Sequence, residues 1–257
     1  MIDALLNVRN YSPDLVAATR TWFIGALWMA ALHGPLLAAV VPPVAPVRTA
    51  NGAVVATAVR FANFGIEKPS NEARHVADWV ADSRDNAKVE FFIVDKKHAK
   101  VYVFDADARL KGASAVLLGS AKGDHSAPGI GLKPLKAVKP EEKTTPAGRF
   151  VAERGRNTSG EDVIWIDYDA AVSMHRVRTT NAKERRLERL ATPTVDDNRI
   201  SYGCINVPAV FYNKYVRPVF AKRRAIVYVL PESRTAQQVF KSYDVAVKHG
   251  LPARSPI

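Results

Sequence analysis

The chain has 257 residues, 47% of them apolar, which is enough for one core-forming domain with extensions. Its 37 lysines and arginines outnumber 25 acidic residues, for a net charge of +12, so its partners are expected to be anionic: nucleic acid, anionic lipid or a cell-wall polymer. A single cysteine excludes an internal disulfide and any Cys-rich metal site.

Residues 1–50 read as an export signal or membrane anchor followed by a linker. Positions 22–41 carry no Asp, Glu, Lys or Arg over 20 residues, long enough to span a bilayer. Arg20 precedes this stretch, Pro42-Pro43 ends it, and His33, Gly34 and Pro35 interrupt it. A secretory signal is the competing reading, and a buried apolar helix the third. Residues 51–87 form an N-terminal extension. Within it, 53–64 is apolar and partly β-branched, hence a strand. Positions 70–83 form a helix, with Ser70 or Asn71 as cap and Val76, Trp79 and Val80 on one face. His75 falls on the surface of that helix.

Residues 88–231 are β-rich. Positions 89–95 form a buried-type strand, Lys96-Lys97-His98 a turn, and 99–105 its hairpin partner. A third strand covers 113–119. Residues 122–142 make a long polar loop containing His125, and such loops are often functional. Further strands begin at Phe150 and Val163. The next, over residues 171–177, puts Val172, Met174 and Arg176 on one face and Ser173, His175 and Val177 on the other. Residues 176–199 are a basic insertion, helical around Leu187 and Leu190. It reads either as a solvated face or as a lid over a cleft. Downstream, 207–216 is helical, 225–230 is a closing strand, and 235–248 is an amphipathic helix within a C-terminal tail, 232–257. The whole is mainly β with short helices. It contains no internal repeat, Walker loop or zinc spacing, and no cofactor is expected.

The one cysteine stands in Ile200-Ser201-Tyr202-Gly203-Cys204-Ile205-Asn206. Gly203 permits a tight turn that exposes the sulfur. A lone Cys is most often a small core hydrophobe, so a catalytic reading needs a base beside it. His175, on a rigid strand upstream, is the histidine best mounted for that task. A helix starting at Val207 would place Cys204 just before a helix N-terminus, whose partial charge favours thiolate.

Thr145-Pro146-Ala147-Gly148, then a strand histidine, then Ser201, Gly203, Cys204, Ile205 and Asn206 together resemble the L,D-transpeptidase catalytic domain, the YkuD-like family. The resemblance spans about residues 88–231. Tyr202 stands where the family usually has a second His, and Arg176 where a Gly is common. The 25 residues between His175 and Ser201 are more than is usual. The resemblance implies a β-sandwich catalytic domain that forms 3→3 cross-links between peptidoglycan stem peptides through a thioester on Cys204. It implies His175 as base, oriented by the main-chain carbonyl of Arg176. The Gly203-Cys204 N–H groups, with Tyr202, would hold the oxyanion, and Ser201 and Asn206 would support the loop. Thr145, Pro146 and Gly148 would lie against substrate, with Arg149 in support and His125 a secondary candidate. It further implies inactivation by carbapenem-type β-lactams, a monomer, and a periplasmic or cell-envelope location. An L,D-carboxypeptidase and a catalytically decayed wall-binding protein are the alternatives. A nucleic-acid binder is disfavoured, because no basic stripe interleaved with aromatics is present.

Overall fold

The computed structural model describes residues 58–221 and 224–252. The expected export segment and linker, and the first part of the 53–64 strand, lie outside them. Among the described residues, no helix is long and apolar enough to cross a membrane.

Among the described residues ten strands carry the fold: β1 Phe91–Asp95, β2 Lys100–Phe104, β3 Leu110–Ala115, β4 Leu118–Gly119, β5 Gly148–Arg156, β6 Asp162–Asp167, β7 Val172–Arg176, β8 Arg199–Ser201, β9 Ile205–Val207 and β10 Ala225–Val229. Eight of them form one sheet in the order β3-β2-β1-β10-β5-β6-β7-β9, and β4 pairs with β8. Strand β5 belongs to both halves of the large sheet. Its residues 148–152 pair with β10, and 153–156 pair with β6. The far edge is tied back as well, because Leu117, just beyond β3, exchanges two 2.9 Å main-chain hydrogen bonds with Asn206 of β9.

The period-2 alternation of β1, β2 and β10 feeds two cores. Phe92, Val94, Val101, Val103, Val227 and Val229 face inward, against Ile164, Met174 and Ile205 of the other half-sheet. Phe91, Ile93, Tyr102, Phe104, Ile226 and Tyr228 face the opposite way, under helix α1, Asn71–Ser83. Ser70 caps α1, its hydroxyl accepting from the Ala73 N–H at 3.0 Å. The helix ends at Arg84, which turns left-handed at φ 58°. Trp79 meets Tyr228 edge-on at 6.0 Å, so the expected apolar face of this helix seats on the sheet. His75 is half-buried rather than on the surface, bonded through Nε2 to the Ser242 hydroxyl at 2.9 Å.

The remaining helices are short: α2 Arg186–Ala191, α3 Ala209–Phe211 running through a π turn at Tyr212–Val216 into α4 Arg217–Val219, then α5 Ala236–Phe240 and α6 Val245–Lys248. Five expectations change in detail. Residues 58–64 make only a single bridge, Asn63 to Arg109. The 113–119 strand breaks at Val116-Leu117, where the chain leaves β2 to meet Asn206. Val207 belongs to β9, not to a helix, because it pairs with Arg176 of β7. The 225–230 strand lies in the middle of the sheet, between β1 and β5. The 235–248 helix divides in two, because Lys241 adopts φ 58° at the end of α5.

Candidate active site

Strands β7 and β9 lie side by side and parallel, with Met174 opposite Ile205 and His175 opposite Asn206. Cys204 immediately precedes β9, so the same register sets it beside Ser173. The Ser173 hydroxyl is 3.6 Å from the Cys204 sulfur. Ser173 and His175 are two apart on one strand and share a face. A thiol, a hydroxyl and an imidazole therefore converge from two adjacent strands.

His175 is held from behind. Its Nδ1 is 2.7 Å from the main-chain oxygen of Arg176. A carbonyl only accepts, so Nδ1 carries the proton and Nε2 is left with a free lone pair. The carbonyl can be so used because the Arg176 side chain is anchored elsewhere: its guanidinium bonds Asp162 at 2.8 Å and Asn213 at 2.7 Å, and lies 4.2 Å over the Tyr212 ring.

Burial pushes the Cys204 thiol up, but its pairing with His175, by hydrogen bonding and by charge once the imidazole has taken the proton, with help from the Ser173 N–H and hydroxyl, brings it down to about 7. The expected helix N-terminus is not among these causes. Because 205–207 form a strand, α3 begins only at Ala209. Iodoacetamide alkylation of Cys204 is therefore expected to rise with pH to a half-maximum near 7. In His175→Ala that midpoint should move toward the ordinary thiol range, slowing alkylation at pH 7 by roughly 10- to 50-fold. Matching pH profiles for the two proteins would separate His175 from the thiol.

The loop before Cys204 is tied down residue by residue. The Ser201 hydroxyl donates to the Cys204 oxygen at 2.6 Å and accepts from the Gly203 N–H at 3.1 Å. Asn206 Nδ2 donates to the same Cys204 oxygen at 3.2 Å, and its Oδ1 accepts from Arg186 at 2.6 Å. The Gly203 N–H is thus engaged inside the loop. The Thr145 hydroxyl donates to the Gly203 oxygen at 2.8 Å and accepts from the Gly119 N–H at 2.9 Å. It clamps the cysteine loop to β4. Pro146 is buried beside it, and Gly148 pairs with Val229 in the sheet.

Gly203 sits at φ 130°, and a Cβ there would lie 2.8 Å from the Thr144 oxygen. Gly203→Ala meets both the unfavourable φ, worth about 1–2 kcal/mol, and that backbone clash. We expect its Tm to fall by at least about 3 °C and its thiol pKa to rise as the loop shifts. Calorimetry and alkylation measure the two, and unchanged values would mean that the turn tolerates a side chain.

Beneath the clamp lies a buried charge network. Lys96 is wholly buried and donates to the Thr145 oxygen at 2.9 Å, to Asp124 at 3.2 Å and to the Gly123 oxygen. Burial lowers its pKa, opposed by Glu232 and Asp124. For Asp124, burial is outweighed by the Ser233 hydroxyl, the Glu232 and Ser233 N–H groups and Lys96, which hold its carboxyl well below the usual range. Sequence reasoning placed Lys96 in a turn and did not single out Ser173. The signal for Ser173 was its two-residue spacing from His175.

The other expected residues are dispersed. Tyr202 is 43% exposed, with the Lys143 ammonium 4.0 Å over its ring. His125 is exposed. Arg149 bonds Asp85 at 2.5 Å, near the end of α1. In the basic insertion, Arg186 reaches Asn206, and Arg189 bonds the Asp197 oxygen at 2.6 Å. Beside His175 opens a cleft of about 720 Å³, edged by the β5–β6 turn, residues 176–180, Ala209 and Arg217. Among the described residues, no group of three or more His, Cys, Asp and Glu could hold a metal ion.

No family model and no curated protein matches the sequence. Among solved structures, the chain is similar to an L,D-transpeptidase mutant of Enterococcus faecium, at 16% identity over 55% of this chain and 50% of that one, with a TM-score of 0.30. It is similar to the catalytic domain of E. faecium L,D-transpeptidase, at 16% identity over 56% of this chain and 98% of that one, with a TM-score of 0.30. It is also similar to the helical cell shape determining protein Pgp2 of Campylobacter jejuni, at 13% identity over 61% and 55%, with a TM-score of 0.38. The match thus spans about half the length of the longer structures.

Proposed function

We propose that this chain is a cysteine-dependent acyltransferase of the bacterial cell wall, an L,D-transpeptidase that joins peptidoglycan stem peptides through a thioester on Cys204. The observation that carries the reading is the Cys204–His175–Arg176 alignment. The thiol sits near pKa 7, and the imidazole is fixed in one tautomer by a 2.7 Å bond to a main-chain oxygen. The order of the Thr145-Pro146, His175 and Ser201–Asn206 segments supports the substrate class.

In this mechanism His175 Nε2 takes the proton of Cys204. The thiolate attacks a stem-peptide carbonyl. With the Gly203 N–H engaged by Ser201, the Cys204 N–H is the remaining main-chain donor of the turn for the oxyanion. The C–N bond breaks, the imidazolium protonates the departing D-alanine amine, and a thioester remains. A side-chain amine of a second stem then attacks, giving a 3→3 link. Water in its place would make the enzyme an L,D-carboxypeptidase. An exported protein at the cell envelope, whether anchored through residues 22–41 or released, completes the reading.

The test is product analysis. Purified full-length protein incubated with a disaccharide tetrapeptide should release D-alanine and yield a cross-linked dimer, both read by mass spectrometry. Tripeptide without dimer would assign the carboxypeptidase. No D-alanine release, with Cys204 still alkylated near pH 7, would remove the stem peptide as substrate.

A further inference from the structure

The cleft beside His175 is strongly cationic. Arg154, Arg156, Arg176, Arg178 and Arg217 line it, against Glu161 and Asp162. Two of the five are neutralised where they stand, Arg176 by Asp162 and Arg178 by Glu161. Arg156 bonds the Gly160 oxygen at 2.6 Å, leaving its charge uncompensated. The guanidinium groups of Arg154 and Arg217 make no hydrogen bond among the described residues, although the charge of Arg217 also acts on Asp162. The Nε of Arg178 is buried and also lacks a partner. Guanidinium is the side chain best matched to carboxylates, which it grips through paired N–H donors. A volume of about 720 Å³ lies in the range of ligand clefts.

His175 lines this cleft and Cys204 does not. That asymmetry has a chemical meaning under the thioester reading, on which this inference rests in part. The second nucleophile must give up its proton to the imidazole, so it has to approach beside His175, as a molecule held in this cleft would. We propose that the Arg154–Arg156–Arg217 cleft is the entry subsite for the acyl acceptor and selects an amine whose molecule carries carboxylates. The acceptor nitrogen attacks the thioester carbonyl, and its proton passes to His175 Nε2. The C–S bond breaks as the amide forms, and the imidazolium returns the proton to the departing sulfur. The arginines hold the acceptor's carboxylates and take no part in the bond changes.

The direct probe is citrate, a tricarboxylate that needs no thioester chemistry. Titration calorimetry on the full chain should detect citrate binding that weakens as salt rises. Arg154→Gln with Arg217→Gln should weaken it by at least about tenfold. Arg154→Lys with Arg217→Lys should restore part of the loss. A charge-matched pair away from the cleft, Arg109→Gln with Lys241→Gln, should leave it within about twofold of the parent. No citrate binding by the parent, or equal losses in the two Gln pairs, would overturn the proposal. In the transfer assay, the preference for glycine over glycinamide as acceptor should fall in the Arg154→Gln, Arg217→Gln protein. If the parent binds citrate as described yet never forms a thioester, the cleft stands and the acyltransferase reading falls.

Discussion

Cys204→Ala is expected to form no meropenem adduct and to release no D-alanine from a stem tetrapeptide, a loss of at least about 10⁴-fold. The physical reason is that no other described nucleophile can replace the sulfur. Ser173 is the nearest hydroxyl, 3.6 Å away, and it is 5% exposed inside β7. An unassisted hydroxyl also ionises far less readily than a thiol held near pKa 7. The fold should survive, since the change removes one atom from a half-buried site whose loop is held through main-chain groups, Ser201 and Asn206. We expect a stability change within about 1 kcal/mol by denaturant titration. Intact-protein mass spectrometry after meropenem reads the chemistry. An adduct of unchanged yield in Cys204→Ala would place the acylation elsewhere and end the nucleophile assignment.

Lys96→Met should have the largest effect on stability. Lys96 is wholly buried, and its ammonium satisfies Asp124 and the carbonyls of Gly123 and Thr145. Met keeps most of the volume but removes all three donors. Breaking a buried pair from one side strands the other charge, at a cost of about 3–5 kcal/mol. Asp124 keeps its bonds to the Ser233 hydroxyl and to the N–H groups of 232, 233 and 234, which places the cost toward the lower end. A Tm lower by roughly 6–12 °C follows. Because Lys96 also holds the Thr145 oxygen, and Thr145 clamps Gly203, the thiol should alkylate more slowly at pH 7 than in the parent. A loss under about 1 kcal/mol would show that the ammonium contributes no net stability where it lies.

Much of the local structure was legible in the residues themselves. Ser70 and the Val76, Trp79 and Val80 spacing led to α1 within one residue. The alternation of 99–105 led to β2, and the Lys96-Lys97-His98 turn joined it to β1. The ordered segments around Thr145, His175 and Cys204 suggested a cysteine and histidine working together; parallel pairing of β7 with β9 sets Cys204 beside Ser173, two residues from His175. Strand length and partner choice were less legible. Ile205-Asn206-Val207 could serve a strand or a helix start, and pairing with β7 decided it. Lys96 reads only as a turn residue, and its burial follows from the loops of Asp124, Thr145 and Glu232 closing over it.

Sequence alone determined the chemistry on offer: one thiol, a histidine on an alternating strand, and a glycine where the chain must turn sharply. These are properties of single residues and of spacings within one element, so they are visible without coordinates. Tertiary structure decided which groups meet. Ser173 beside the sulfur and arginines from three segments around one cleft depend on contacts between residues distant in the chain. Such contacts depend on which strands pair, and the pattern within one strand does not name its partner.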